Sequence, residues 1–288
     1  LGKHVVAGAG FVANFVLWSE SGYFDNSVDT KPLLHLWSLG IEEQFYIVWP
    51  FLLWGAWKRQ LNFFVVIISL LIGSFILNIW LIHTNPVATF YSPLARFWEL
   101  LCGSLLALYL LRRSKSISQD SYYYPVLPGV SRAKSKIDIQ LVLPDVLSFC
   151  GIALLTAGFY VINKDLAFPG YWALLPVLGS VMIILAGPKA WFNQKILSGK
   201  LFVWFGLISF PLYLWHWPLL SFGRILYFEI PPLKYRVIAV LLSIGLAWLT
   251  VKFVERPLRF GNHRSSWKII SLSGSLLALA FMGAILFY

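Results

Sequence analysis

The residues best equipped for chemistry fall in five short stretches, most of them inside otherwise apolar sequence. The densest is His35-Leu36-Trp37-Ser38-Leu39-Gly40-Ile41-Glu42-Glu43-Gln44-Phe45-Tyr46, which runs into Trp49-Pro50. Here Glu42 or Glu43 could orient a base or bind hydroxyls, and His35 belongs to the one side-chain type that titrates near neutral pH. Arg96 and Glu99 stand three residues apart, a spacing that pairs them on one helix face. His216, within Tyr213-Leu214-Trp215-His216-Trp217-Pro218, is a second proton-handling group. Glu255-Arg256-Pro257-Leu258-Arg259 supplies two guanidinium groups, Arg256 and Arg259, that would attract phosphates. Asp145, just after Pro144, reads as a first-turn acid of a helix and is given no role.

Each stretch also has an ordinary structural explanation. Ser38 suits an N-cap, and the helix dipole favours carboxylates one turn further in. That explains one of the two glutamates well. Adjacent residues on a helix point ~100° apart, so the other is expected to face protein, in a pocket wall with Trp37, Gln44 and Tyr46. Arg96 and Glu99 could simply neutralise each other. A lone histidine in a helix, His216, could serve as a hydrogen-bonding bundle residue. Pro257 stops a helix, and basic residues suit its C-terminal end. No cluster has metal-ligand spacing, so no metal is expected. Cys102 and Cys150 both sit in apolar sequence without a CxxC, which supports neither a disulfide framework nor a zinc site.

The elements that must position these groups follow from composition. The chain has 288 residues, 59% hydrophobic, 17% aromatic and only 12% charged, with mean hydropathy +0.74. Soluble domains carry roughly 25% charged residues, so a water-soluble globule is excluded, and the aromatic content excludes disorder. A helix needs ~20 apolar residues to cross a bilayer. About nine stretches qualify, near 4–18, 39–57, 61–83, 93–111, 141–162, 171–187, 201–226, 233–254 and 267–288. The expected fold is all-α, a polytopic transmembrane bundle of about nine helices.

The net charge of +11 suits this reading better than nucleic-acid binding. Basic residues cluster in alternate connections: Lys3; Lys58 and Arg59; Arg112, Arg113, Lys115, Arg132, Lys134 and Lys136; Lys189, Lys195 and Lys200; Arg256, Arg259 and Arg264. The intervening connections hold Glu20, Asp25 and Asp29 with Lys31, the uncharged 84–92, Lys164 with Asp165, and Glu229. By the positive-inside rule Leu1 lies on the cytoplasmic side and Tyr288 outside. The long basic segment 112–140 is expected to be a solvated linker near anionic headgroups. With this orientation Glu42, Glu43, Arg96, Glu99 and His216 fall at similar depth. Ionisable groups at membrane depth usually mark function, so a shared polar cavity in the outer half of the bundle is expected.

Four ordered blocks carry a resemblance. Trp37-Ser38-Leu39 through Glu42-Glu43-Gln44-Phe45-Tyr46 and Trp49-Pro50 resembles the signature of acyltransferase family 3, the integral-membrane O-acyltransferases. Arg96-Phe97-Trp98-Glu99-Leu100 with Gly103, Leu212-Tyr213-Leu214-Trp215-His216-Trp217-Pro218, and Glu255-Arg256-Pro257 with Arg259 resemble three more family blocks. Tyr23-Phe24-Asp25 followed by Pro32-Leu33-Leu34-His35 is similar to the subgroup that acetylates bacterial surface glycans, in which a final span leads to an extracytoplasmic SGNH-hydrolase-like domain.

The resemblance implies an enzyme of the bacterial cytoplasmic membrane. It would move an acyl group, usually acetyl, from cytoplasmic acetyl-CoA to a hydroxyl of a cell-envelope glycan such as O-antigen, peptidoglycan or exopolysaccharide. Acetyl-CoA enters as donor substrate, and no bound cofactor is implied. Glu42, Glu43, His35 and His216 become the catalytic candidates. Trp37, Ser38, Gln44, Tyr46, Arg96, Glu99, Arg256 and Arg259 become the substrate-binding candidates. The family's early Arg and principal His have no counterpart after Leu1, and His4 sits in a different context. The expectation is a chain lacking both ends, with residues 1–266 as the acyltransferase region and 267–288 as the last span. The rival from another class is a carrier or flippase for lipid-linked sugars, which would use a polar cavity without chemistry. The absence of a recognisable inverted repeat weighs against it.

Overall fold

The computed structural model describes residues 1–22, 28–123, 137–163, 165–260 and 265–286. Tyr23, Phe24, Asp25, Arg132, Lys134, Lys136, Lys164, Arg264 and Tyr288 lie outside the described residues, as does the centre of the 112–140 segment.

Every regular element among the described residues is a helix. In order these are α1 (Gly2–Ala9), α2 (Ala13–Glu20), α3 (Leu36–Lys58), α4 (Phe63–Thr84), α5 (Pro86–Tyr91), α6 (Pro93–Tyr123), α7 (Ile137–Val161), α8 (Leu174–Ala186), α9 (Lys200–Tyr227), α10 (Leu233–Thr250), α11 (Arg256–Phe260) and α12 (Ser265–Ile285). A π-helical turn, Val251–Glu255, joins α10 to α11. The fold is the all-α, membrane-type fold that the composition demands. Among the described residues five segments are long and apolar enough to cross a bilayer: Phe63–Thr84, Pro93–Arg113, Leu143–Val161, Lys200–Tyr227 and Leu233–Arg259.

Of the four expected stretches outside this set, three differ for local causes, and the fourth, 267–288, holds the shorter apolar helix Leu272–Ile285. The stretch 4–18 is not one helix. Gly10 follows the last turn of α1, its N–H bonded back to Val6, and Phe11 takes a left-handed φ of 55° before the chain re-enters helix at Ala13. The stretch 39–57 is helical throughout α3, but the polar groups of its opening turns lower its hydropathy. The stretch 171–187 becomes a short 3-10 turn (Gly170–Ala173) followed by the 13 residues of α8.

The chain divides into two compact units. The first comprises Leu1–Gln44 and Lys200–Tyr288, the second Phe45–Gly199. In the first, α9 packs on α10 around Ile208, Ala247 and Val251, with Trp204, Leu212 and Ile244 alongside. There α1 packs on α12. Close contact is possible because Gly283 lacks a side chain; a Cβ there would stand 2.9 Å from Val5.

In the second unit α4 packs on α6 about Phe45, Ile67 and Leu101. Polar ties reinforce this pairing. The fully buried Asn78 donates to the Ala95 carbonyl at 3.1 Å. Ser74 Oγ donates to the Leu94 carbonyl and accepts from the Trp98 N–H at 3.0 Å. Helices α7 and α8 meet at two facing glycines. A Cβ on Gly151 would lie 2.7 Å from the Gly179 carbonyl, and one on Gly179 2.8 Å from that of Gly151. Small residues at the crossing let the backbones approach, as in many membrane helix pairs.

Candidate functional site

In the first unit one face of α9 is laced to the segment leading into α3. Tyr213, His216, Trp217, Leu220, Ser221 and Arg224 share that face by the 3.6-residue repeat. The hydrogen bonds agree. Tyr213 donates its hydroxyl to the His35 carbonyl. That proton is thereby engaged, so the 2.6 Å contact between Ser38 Oγ and Tyr213 Oη has Ser38 as donor. Further along, Trp217 Nε1 donates to the Lys31 carbonyl at 2.9 Å and Ser221 Oγ to that of Asp29 at 2.9 Å.

This lacing brings two histidines together. The ring centroids of His35 and His216 are 5.9 Å apart, edge to face, and Tyr213 stands 5.1 Å from His35. His216 Nδ1 lies 2.8 Å from the Tyr213 carbonyl and 3.1 Å from that of Leu212. Both partners are acceptors, so in the neutral ring Nδ1 carries the proton and the Nε2 lone pair is left to accept one. His35 is 6% exposed, and among the described residues neither of its nitrogens meets a partner in hydrogen-bond geometry. Burial first, and then the neighbouring His216, pushes its pKa down to about 4. Pro218 contributes from α9. It has no N–H, which frees the Leu214 carbonyl from the helix ladder, and this carbonyl favours the protonated His35 ring without reversing the shift.

The other predicted residues are placed as follows. Glu42 lies one turn beyond Ser38 on the same face of α3, and its side chain is exposed, while Glu43 is half-buried. Gln44 sits on the opposite face, where its amide donates to the Phe11 carbonyl at 2.7 Å and to Asn14 Oδ1 at 2.9 Å. Gly40 makes this approach possible; a Cβ there would be 3.1 Å from Asn14 Oδ1 and 3.2 Å from the Phe11 carbonyl. Trp37 is half-buried and Tyr46 is exposed. Arg256 is exposed, and Arg259 pairs with Glu255 at 3.2 Å.

In the second unit Arg96 and Glu99 form the expected i, i+3 pair at 2.9 Å. They line a cleft of about 340 Å³ with Phe168, Pro176 and Ser180. The Arg96 guanidinium also lies over the Phe90 and Phe168 rings, at 5.7 and 5.8 Å.

Sequence reasoning passed over a charge cluster in the first unit. Glu20 binds His4 at 2.7 Å, Lys3 at 3.0 Å and the buried Lys31 at 3.4 Å. Burial raises the Glu20 pKa, but the hydrogen bonds from His4 and Lys3 outweigh it and hold the group at about 2. It passed over Tyr213 and Asn14 as well. The spacing of Tyr213, His216 and Trp217 on one helical face was the available signal for the first.

A membrane-type helical fold with a paired-histidine site defines a class, and comparison with known proteins gives that class a family. The profile of the acyltransferase domain, family 3, matches residues 3–252. The chain belongs to this family. It is 29% identical over 268 residues to the peptidoglycan O-acetyltransferase OatA of Listeria monocytogenes, covering 90% of this chain and 41% of that protein. It is 27% identical over 266 residues to the O-acetyltransferase OatA of Staphylococcus aureus, covering 89% of this chain and 41% of that protein. The chain thus spans about two fifths of the length of these relatives. No solved structure matches it.

Proposed function

We propose that the protein is a membrane O-acyltransferase that transfers an acyl group, acetyl in the first instance, from acyl-CoA to a hydroxyl of a cell-envelope glycan. The relatives' names favour peptidoglycan over O-antigen as the acceptor class. The observation that carries the reading is His216, whose Nδ1 faces two carbonyls and whose Nε2 is therefore basic, beside a neutral His35 in a family-matched block.

In the proposed step His216 Nε2 takes the proton of the acceptor hydroxyl as its oxygen attacks the thioester carbonyl carbon. The tetrahedral adduct collapses with cleavage of the C–S bond, and the departing CoA sulfur takes the proton back from His216. Tyr213 and Ser38 position the two rings through the His35 carbonyl. Glu42 and Glu43 bind hydroxyls or orient the base, with Trp37 as a further contact, and Tyr46 is a substrate contact of the second unit. Arg96 and Glu99 bind hydroxyls in the cleft of their own unit. Arg256 and Arg259 attract the CoA phosphates on the cytoplasmic side, with Leu1 on that side and the Tyr288 end outside.

The test is transfer of labelled acetyl from acetyl-CoA to cell-envelope glycan in membranes carrying the full-length protein. A His216→Gln substitution is expected to lower transfer by about 10²–10⁴-fold, the range for loss of a general base. Glu42→Gln and Glu43→Gln are assayed alongside it. Transfer at the unsubstituted rate in His216→Gln would remove this histidine from the chemistry. Glycan movement across the membrane without any labelled product would favour a carrier.

A further inference from the structure

The face of α9 that carries His216 continues to a second cleft. Trp217, Ser221 and Arg224 follow on this face, and Arg224 lies eight residues, ~12 Å, beyond His216 along the axis. There a cleft of about 160 Å³ is lined by Asp29, Trp217, Ser221, Arg224, Pro231 and Arg236. Two guanidinium groups and one carboxylate give it a net positive charge. Arg224 touches Asp29 through a single 3.4 Å contact, leaving most of its five donors available. Arg236, on α10, is exposed and has no ion pair among the described residues. The indole of Trp217 is fixed by its bond to the Lys31 carbonyl, and so presents a held flat surface beside the two arginines.

We infer that this cleft binds a carboxylate of the glycan acceptor, borne at a distance from the hydroxyl that is acylated. The inference rests on the function proposed above and names the substrate class it selects: an acidic rather than a neutral glycan. Guanidinium groups recognise carboxylates through paired, directional hydrogen bonds, and a sugar ring packs its apolar side on an indole. Asp29 sets the geometry. It holds Arg224 on one side of the cleft, while its own carbonyl, bonded by Ser221 at 2.9 Å, ties the segment to α9. His216 and Arg224 of the cleft lie ~12 Å apart along α9, a separation that an extended acceptor spans. The cleft then selects which glycan reaches the base.

The experiment measures binding to the full-length protein in phosphatidylcholine nanodiscs with no acyl donor present. Two probes are compared, the N-acetylglucosamine–N-acetylmuramic acid disaccharide and the same disaccharide with its carboxyl reduced to an alcohol. The acid is expected to bind at least tenfold more tightly. Arg236→Gln, at an exposed position, and Arg224→Gln should each erase that preference and leave the affinity for the alcohol unchanged. In turnover, Arg236→Gln should raise KM for the acidic acceptor with kcat held. Equal affinity for both probes, or an acid preference that survives both substitutions, overturns the inference. So does a cleft that phosphatidylglycerol nanodiscs occupy in competition with the acid, since that assigns it to a lipid headgroup. The binding contrast is read without chemistry, so it can fail while acetyl transfer stands, and transfer can fail while the contrast stands.

Discussion

His35 is held uncharged by burial at the edge of the helix that bears most of the polar residues, and that state has a measurable signature. An ordinary histidine titrates near ~6.5, whereas burial and His216 bring this one to about 4. Between those values the unfolded chain takes up a proton that the folded chain refuses. The linked stability is therefore complete above ~6.5 and is lost as pH falls toward about 4. The imidazole resonances of His35 should stay at their neutral positions from pH 7 to 5 in a labelled sample; a midpoint near 6.5 would show the ring open to water. The two histidines were legible in the sequence because ionisable groups are rare in apolar stretches. Tyr213 was passed over because, in a chain with 17% aromatics, a single tyrosine stands out only through its spacing from His216 and Trp217. Glu20 was not legible, because its bond to His4 spans 16 residues and a chain reversal that no local pattern announces.

At the scale of elements, close helix contact rests on absent side chains. The facing Gly151 and Gly179 let α7 and α8 touch backbone to backbone. Gly151→Val should cost about 1–3 kcal/mol, the usual range for overpacking, read as a lower unfolding temperature of the purified protein. An unchanged transition would mean that the pair does not hold the two helices. Long apolar runs such as α4 and α10 were legible from length and hydropathy alone. The first stretch was not, because 4–18 is apolar throughout and hides the break at Gly10 and Phe11. The break also carries a long-range contact that no local pattern announces: Gln44 donates to the Phe11 carbonyl from 33 residues away.

At the scale of the whole chain, one carboxylate gathers groups from separate segments of the first unit. Glu20 joins Lys3 and His4 of α1 to Lys31. Its pKa is held at about 2 against an ordinary 4.5, so the stabilisation is fully present above ~4.5 and lost as pH falls toward 2. Hydrogen exchange of residues 1–22 should remain slow from pH 7 to 5. It should quicken relative to the rest of the chain below ~4, and be quick already at pH 7 in Glu20→Gln. Uniform exchange in that variant would show that the cluster is dispensable.

The two-sided engagement of α3 has a mechanical consequence. Ser38 grips α9 on one side and Gln44 grips the Phe11–Asn14 bend on the other. Such a helix acts as an axle pinned at both flanks, because turning it about its own axis would tear bonds on each. The angle at which His35 meets His216 is thus set in part by an amide that faces away from both, and Gln44 or Asn14 replacements would impair turnover by shifting that angle although neither histidine is altered.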